Sequence, residues 1–137
     1  MNVFGPLPPE GRRRFGDTEL GATLWGGTLY ELEPGGKSPY HWQVGEEEWL
    51  LVVAGTPTLR TPGGEQVLKP WDVAVFRRGE EGAHQIRNDT DAPVRAVFFS
   101  SRSDPEVAVY PDEGKIGVIA GWSRSDGKVL RGWVVEP

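Results

Sequence analysis

The chain of 137 residues contains no cysteine, and its net charge of −5 is negative. The missing cysteines exclude disulfide bonds and thiolate metal ligands, and they agree with a reducing cytosol. Basic residues are scattered except for Arg12, Arg13 and Arg14, which gives no electrostatic footprint for nucleic acid. No segment approaches the roughly 18 apolar residues of a membrane span, and no secretory signal is recognisable. We therefore expect a soluble, cytoplasmic protein that binds neither membranes nor nucleic acid.

Residues that form turns are abundant, with 19 glycines and 12 prolines. Turn signals recur about every eight to twelve residues, which is typical of an all-β domain. Apolar or alternating segments predict strands at residues 19–25, 27–33, 48–54, 73–76 and 94–100. About eight strands joined by tight turns predict a small antiparallel β-barrel, or jelly roll, in a single domain.

The two ends of the chain differ from this pattern. Residues 1–18 combine prolines, glycines and three arginines without a period, which predicts an N-terminal arm, most of it a solvated loop. Residues 19–120 form the predicted barrel, and residues 121–137 a tail that packs on the barrel or on a partner. Because residues 48–54 and 94–100 are apolar on both faces, we expect a homodimer, with sheet or strand exchange through the N-terminal region.

The only two histidines, His41 and His84, are candidates for one shared site. Alternation along a strand places His41 and Gln43 on one face, and Glu48 follows after a short turn. Two imidazoles and a carboxylate form a set that binds Fe(II) and, less selectively, Mn, Zn, Ni or Cu, with the Gln43 amide oxygen as a fourth, weaker ligand. The alternative is that the histidines are ordinary hydrogen-bonded groups and that residues 46–48 form a solvated turn.

The first group of these residues resembles the first motif of the cupin superfamily. The motif's spacing is kept throughout, but a glutamine stands where the motif has its second histidine. The residues at the motif positions are Gly35, His41, Gln43, Glu48 and Gly55.

A second stretch is similar to the second cupin motif. Gly79, His84 and Asn88 match it, whereas Trp71 and Arg77 replace its glycine and proline. The resemblance spans about residues 20–120 and implies an antiparallel barrel of six to eight strands that is often dimeric. It also implies a divalent metal ion bound by the residues at the motif positions, here His41, Glu48 and His84, with Gln43 in the place of a further histidine.

Two functions fit this resemblance. One is a metal-dependent enzyme acting on a small organic molecule as an oxygenase, isomerase or lyase. The other is a non-catalytic barrel that binds or senses a small molecule or carbohydrate without metal. No catalytic residue is identified, because Glu46 and Glu47 could act as acid or base only if their turn folded inward. Arg77 or Arg78 could hold a carboxylate substrate, although a solvated loop is the simpler interpretation.

Overall fold

A computed structural model describes residues 1–16, 20–121 and 130–135. These residues form β-strands joined by turns and two short 3-10 helices, Glu80–Gly82 and Pro111–Glu113, which confirms the all-β prediction. The strands are β1 (Arg12–Phe15), β2 (Trp25–Leu32), β3 (Trp42–Gln43), β4 (Glu48–Ala54), β5 (Thr58–Thr61), β6 (Gly64–Val67), β7 (Val73–Phe76), β8 (Gln85–Arg87), β9 (Val94–Ser101), β10 (Glu106–Tyr110), β11 (Lys115–Ala120) and β12 (Leu130–Val135).

The strands pair in antiparallel fashion into three sheets. A five-stranded sheet has the order β1-β2-β9-β4-β7, and two smaller sheets have the orders β12-β11-β10-β3 and β6-β5-β8. Alternation along the strands decides which side chains face the smaller sheets. Leu50 and Phe98 of the large sheet pack there with Leu59 and Ile86, and all four are at most 6% exposed. The main core therefore lies between the sheets, as in a jelly roll.

The opposite face of the large sheet carries a second, smaller core. Phe15, Leu29, Val53 and Val97 are buried together there, and Val3 and Leu7 of the N-terminal segment pack against them. This cover is partial, because Trp49, Val73 and Val75 on the same face are 43%, 57% and 47% exposed. The prediction that β4 is apolar on both faces is correct, and one part of its outer face is open to solvent.

The ends of the chain are more ordered than their composition predicts. Within the predicted arm, residues 12–15 form β1, which pairs with β2 of the same chain. The sequence does not show an alternation of polar and apolar residues here, because three arginines precede the buried Phe15. Residues 20–24 are not a strand, and residue 19 lies outside the described residues.

In the C-terminal tail, β12 pairs with β11, whereas Trp122 lies outside the described residues. The boundaries proposed at residues 18 and 120 stay predictions. No helix among the described residues has the length and apolar character needed to cross a bilayer.

Asn88, a position shared with the second motif, is a structural residue. Its side chain is fully buried, and its amide nitrogen donates to the carbonyls of Leu32 and Ala92, each at 2.8 Å. Its oxygen accepts from the N–H of Thr90 at 3.0 Å. Because both polar atoms of the Asn88 side chain form hydrogen bonds with backbone groups, this residue stabilises the turn between β8 and β9.

Candidate metal centre and its cavity

His41, Glu48 and His84 lie together at one end of the barrel. The backbones of the two histidines form two hydrogen bonds with each other, with N···O distances of 3.1 and 2.9 Å. This pairing fixes the positions of the two Cα atoms from which the rings extend. Glu48, the first residue of β4, reaches between them. Its Oε2 atom lies 3.1 Å from Nε2 of His84 and 3.7 Å from Nε2 of His41. All three ligand atoms lie within 4.8 Å of one another.

Backbone carbonyls set the orientation of both imidazoles. Nδ1 of His84 lies 2.9 Å from the carbonyl oxygen of Gly82, and Nδ1 of His41 lies 3.3 Å from that of Pro39. A carbonyl oxygen only accepts hydrogen bonds, so each Nδ1 carries a proton and each Nε2 is the ring atom that faces Glu48. Such outer contacts are what fix the tautomer of histidines that bind metal.

Both imidazole rings are largely removed from solvent. The His84 side chain is 1% exposed and stacks on Phe76 with ring centroids 3.7 Å apart. Burial lowers the pKa of His41, the charge of His84 lowers it further, and Glu48 opposes both effects. A neutral His41 is therefore the form that this environment stabilises.

The three side chains fit a divalent cation. Among the described residues, Glu48 Oε2 and His84 Nε2 are buried and have no hydrogen-bond partner. At 3.1 Å, Glu48 Oε2 and His84 Nε2 can share either a proton or a cation that both atoms coordinate. A set of two imidazole nitrogens and one carboxylate oxygen matches the donors that Fe, Mn, Ni, Cu and Zn accept.

The loop before His84 depends on Gly82. A side-chain carbon at this position would lie 1.7 Å from the carbonyl oxygen of Arg77, so only glycine permits the tight approach. The carbonyl of Gly82 is also the acceptor that orients His84. The loop is tied to the first motif, since the N–H of Gly79 donates to the carbonyl of Gln43 at 2.8 Å.

Gln43 lies in the wall of the same cavity as His41 and Glu48, as alternation predicts. Its amide nitrogen donates to Oε2 of Glu46 at 3.4 Å. The Gln43 amide therefore contacts a second acidic residue in the wall of the cavity, which Glu48 of the metal-type cluster (His41, Glu48 and His84) also lines. Its role as a metal ligand stays a prediction.

Glu46 points inward, contrary to the interpretation of residues 46–48 as a solvated turn. It is 8% exposed, and its Oε1 accepts the N–H of Ser103 at 3.0 Å. Burial, together with the charges of Glu106 and Glu48, raises the pKa of Glu46 to about 7. The inward turn needs Gly45, because a side-chain carbon there would lie 2.7 Å from the Glu106 carboxylate. The sequence alone does not indicate which of the three consecutive glutamates, at residues 46–48, is buried.

The metal-type cluster opens into a cavity of about 190 Å³. Three arginines line this cavity: Arg12 and Arg14 of β1, and Arg102 directly after β9. Arg77 and Arg78 are exposed and are not among the lining residues. Their exposure agrees with the interpretation as a solvated loop, and other arginines line the cavity. The polar and aromatic lining residues include Arg12, Arg14, Thr28, Tyr30, Arg102 and Tyr110.

Comparison with solved structures finds similar folds in proteins that are named as enzymes. A sugar phosphate isomerase of the cupin superfamily from Silicibacter pomeroyi is 29% identical, with a TM-score of 0.74, and the match covers 89% of this chain and 76% of that protein. A protein named as a putative sugar phosphate isomerase from Acidithiobacillus ferrooxidans is 27% identical, with a TM-score of 0.71, over 90% and 78% of the two chains.

A more distant match is a polyketide cyclase from Streptomyces resistomycificus. It is 25% identical, with a TM-score of 0.58, over 66% of this chain and 63% of that protein. A comparison with curated proteins finds no match. The sequence profile of the cupin domain matches residues 28–100, which is more than half of the chain and contains all three ligand candidates. The protein therefore belongs to the cupin family.

Proposed function

We propose that this protein is a metal-dependent enzyme in which His41, Glu48 and His84 hold a divalent ion and Gln43 provides a fourth contact. The observation that carries the proposal is the pair of Nε2 atoms that face one buried carboxylate oxygen, on two rings oriented by backbone carbonyls. Iron, manganese, zinc, nickel and copper all accept these donors. When bound, the ion supplies a Lewis acid that polarises a substrate oxygen.

The reaction that the cavity supports best is isomerisation of a phosphorylated hydroxy-carbonyl compound such as a sugar phosphate. The two structures named for sugar phosphate isomerases, at 29% and 27% identity, support this class. The reaction moves one proton from a carbon to its neighbour and a second proton from the hydroxyl oxygen to the carbonyl oxygen, so it needs no external oxidant or reductant. Glu46 stands in the cavity wall, oriented by Ser103 and Gln43, where a carboxylate can take the proton and return it.

A deuterium-exchange experiment tests this activity. Metal-loaded protein is incubated in D₂O with a panel of aldose and ketose phosphates and followed by NMR. We expect interconversion, with deuterium entering at the carbon beside the carbonyl, because the transferred proton exchanges with solvent on the carboxyl group. A chelator should stop the reaction and added metal should restore it. If sugar phosphates bind and none of them reacts or exchanges, the protein is instead a binding barrel.

We also propose that a second copy of the chain covers the open part of the large sheet's outer face. Trp49 lies opposite both Val75 and Phe99 in the strand register, so these side chains form one continuous apolar patch. Val75 and Phe99 are 47% and 38% exposed. A patch that spans three strands and contains two large aromatic rings favours a protein partner, and a twofold dimer lets it contact itself. Since β1 pairs within its own chain, the interface needs no strand exchange.

Light scattering at micromolar concentration should give the mass of a dimer for the unmodified protein. The Val75→Asp variant should be monomeric, because it places a charge within the apolar patch, beside Trp49. Val67→Asp is the matched control: Val67 is 63% exposed but lies on β6 in another sheet, so this variant should stay dimeric. A monomeric unmodified protein would contradict the proposed interface.

A further inference from the structure

Strand β1 directs two of its three arginines towards the cavity. Arg12 and Arg14 lie opposite Tyr30 and Thr28 in the β1–β2 register, and all four side chains line the cavity beside the metal-type cluster. Arg13 alternates to the other face, opposite the buried Leu29. The arginine triplet is therefore divided, with two positive charges at the cavity and one on the outer face of the sheet.

A third arginine reaches the same region from the C-terminal strand. Arg131 of β12 lies opposite Ile119 of β11, and both border a second cavity of about 220 Å³. Arg12 and Arg14 line this cavity as well as the first one, so the two spaces adjoin. The described residues that line the second cavity include three arginines and no carboxylate, whereas Glu46, Glu48 and Glu106 all line the first.

The arginines are close enough to repel one another. Burial lowers the pKa of Arg14, and the charges of Arg131, Arg12 and Arg102 lower it further. Within the part of the chain that the structure describes, the Arg12 guanidinium makes no hydrogen bond or ion pair. An anion bound among these groups would relieve the repulsion. Guanidinium groups match phosphate oxygens with two parallel hydrogen bonds each.

We infer that Arg12, Arg14 and Arg131 form a subsite for the phosphoryl group of the substrate, next to the metal centre. The substrate class rests on the function proposed above; the anion site rests on the arginines alone. Tyr110 and Trp133, whose ring centroids lie 5.6 Å apart, border the same cavity and provide an aromatic wall. A substrate with a phosphoryl group at one end and hydroxyl or carbonyl oxygens at the other would span from the arginines to the metal ligands.

The test measures binding of inorganic phosphate to the full chain by calorimetry, with chelator present so that no metal contributes. We expect Arg12→Gln and Arg131→Gln to weaken phosphate binding about tenfold to a hundredfold, as loss of a charged hydrogen-bonding group does. Arg13→Gln is the matched control, since it removes the same charge from the same strand on the other face. It should change the affinity by less than about twofold, because a charge on the opposite face of the sheet lies outside the site and is screened.

Three results would overturn the subsite. They are no measurable phosphate binding, an equal loss in the Arg13→Gln variant, or acetate binding as tightly as phosphate, which would indicate a carboxylate site. Arg131 is exposed on the last strand of its sheet, so its variant keeps the test valid if Arg12→Gln does not fold. Metal content is measured in parallel. Failure of the metal centre leaves the phosphate result unchanged, so the two proposals fail separately.

Discussion

Glu48→Gln and His84→Ala should each abolish stoichiometric metal binding. Each change removes one of three donors that converge within 4.8 Å, and glutamine also replaces the only negative charge between the two imidazoles with a neutral amide. Loss of an outer contact to a metal ligand already costs about tenfold to a hundredfold in affinity, so loss of a ligand should exceed a hundredfold. Elemental analysis of untagged protein and calorimetric titration with Mn²⁺ or Zn²⁺ measure the effect.

Glu47→Gln is the control for these variants. Glu47 is the neighbour of Glu48 in the same acidic triplet, but it does not line the cavity, so metal content should stay that of the unmodified protein. His84 is fully buried against Phe76, and the isosteric Glu48→Gln change keeps the test interpretable if the alanine variant unfolds. Near-stoichiometric metal in Glu48→Gln would remove Glu48 from the proposed ligand set.

Gln43→His extends the same experiment to the residue where the motif has a histidine. An imidazole is the stronger donor for late transition metals, so affinity should rise if the Gln43 side chain faces the ion. An unchanged affinity would mean that Gln43 serves Glu46 alone, through the contact seen at 3.4 Å.

Glu46→Gln should lower the rate of isomerisation about 10²- to 10⁴-fold, the usual contribution of a positioned acid or base. Glutamine has nearly the same shape and can still accept the Ser103 N–H with its oxygen, so fold and metal content should be unchanged. It cannot carry a proton between substrate carbons. Deuterium incorporation into the substrate, measured by NMR, reports this step directly.

The variant must separate proton transfer from binding. We expect the KM of Glu46→Gln to change little while kcat falls, since the residue is proposed to act on the reacting carbon. Glu47→Gln should retain the full rate. A Glu46→Gln enzyme that exchanges deuterium at the rate of the unmodified protein would exclude Glu46 as the base and direct attention to Tyr30 or Tyr110, which line the same cavity.

The amino-acid sequence was sufficient to predict the all-β fold and the cluster of His41, Glu48 and His84. Turn residues at regular intervals and alternating apolar positions predict the strands, because a strand with one buried face must repeat every two residues. The same rule places His41 and Gln43 on one face, and motif spacing adds Glu48 and His84. Within each motif these are local relations, whereas the joining of distant His84 to His41 and Glu48 came from the resemblance to the two cupin motifs.

The tertiary structure alone decided which charged residues face the cavity. Glu46 turns inward because Gly45 lets the chain pass close to Glu106, which is distant in sequence. Arg12 and Arg14 meet the cavity only because β1 pairs with β2, and Arg131 joins them through β12. A run of like charges looks uniformly solvated in a sequence, since only the pairing with distant strands decides which of its side chains border a cavity. The proposed metal ligands were therefore predictable from the resemblance to the cupin motifs, whereas Glu46 and the arginines that line the cavity were not.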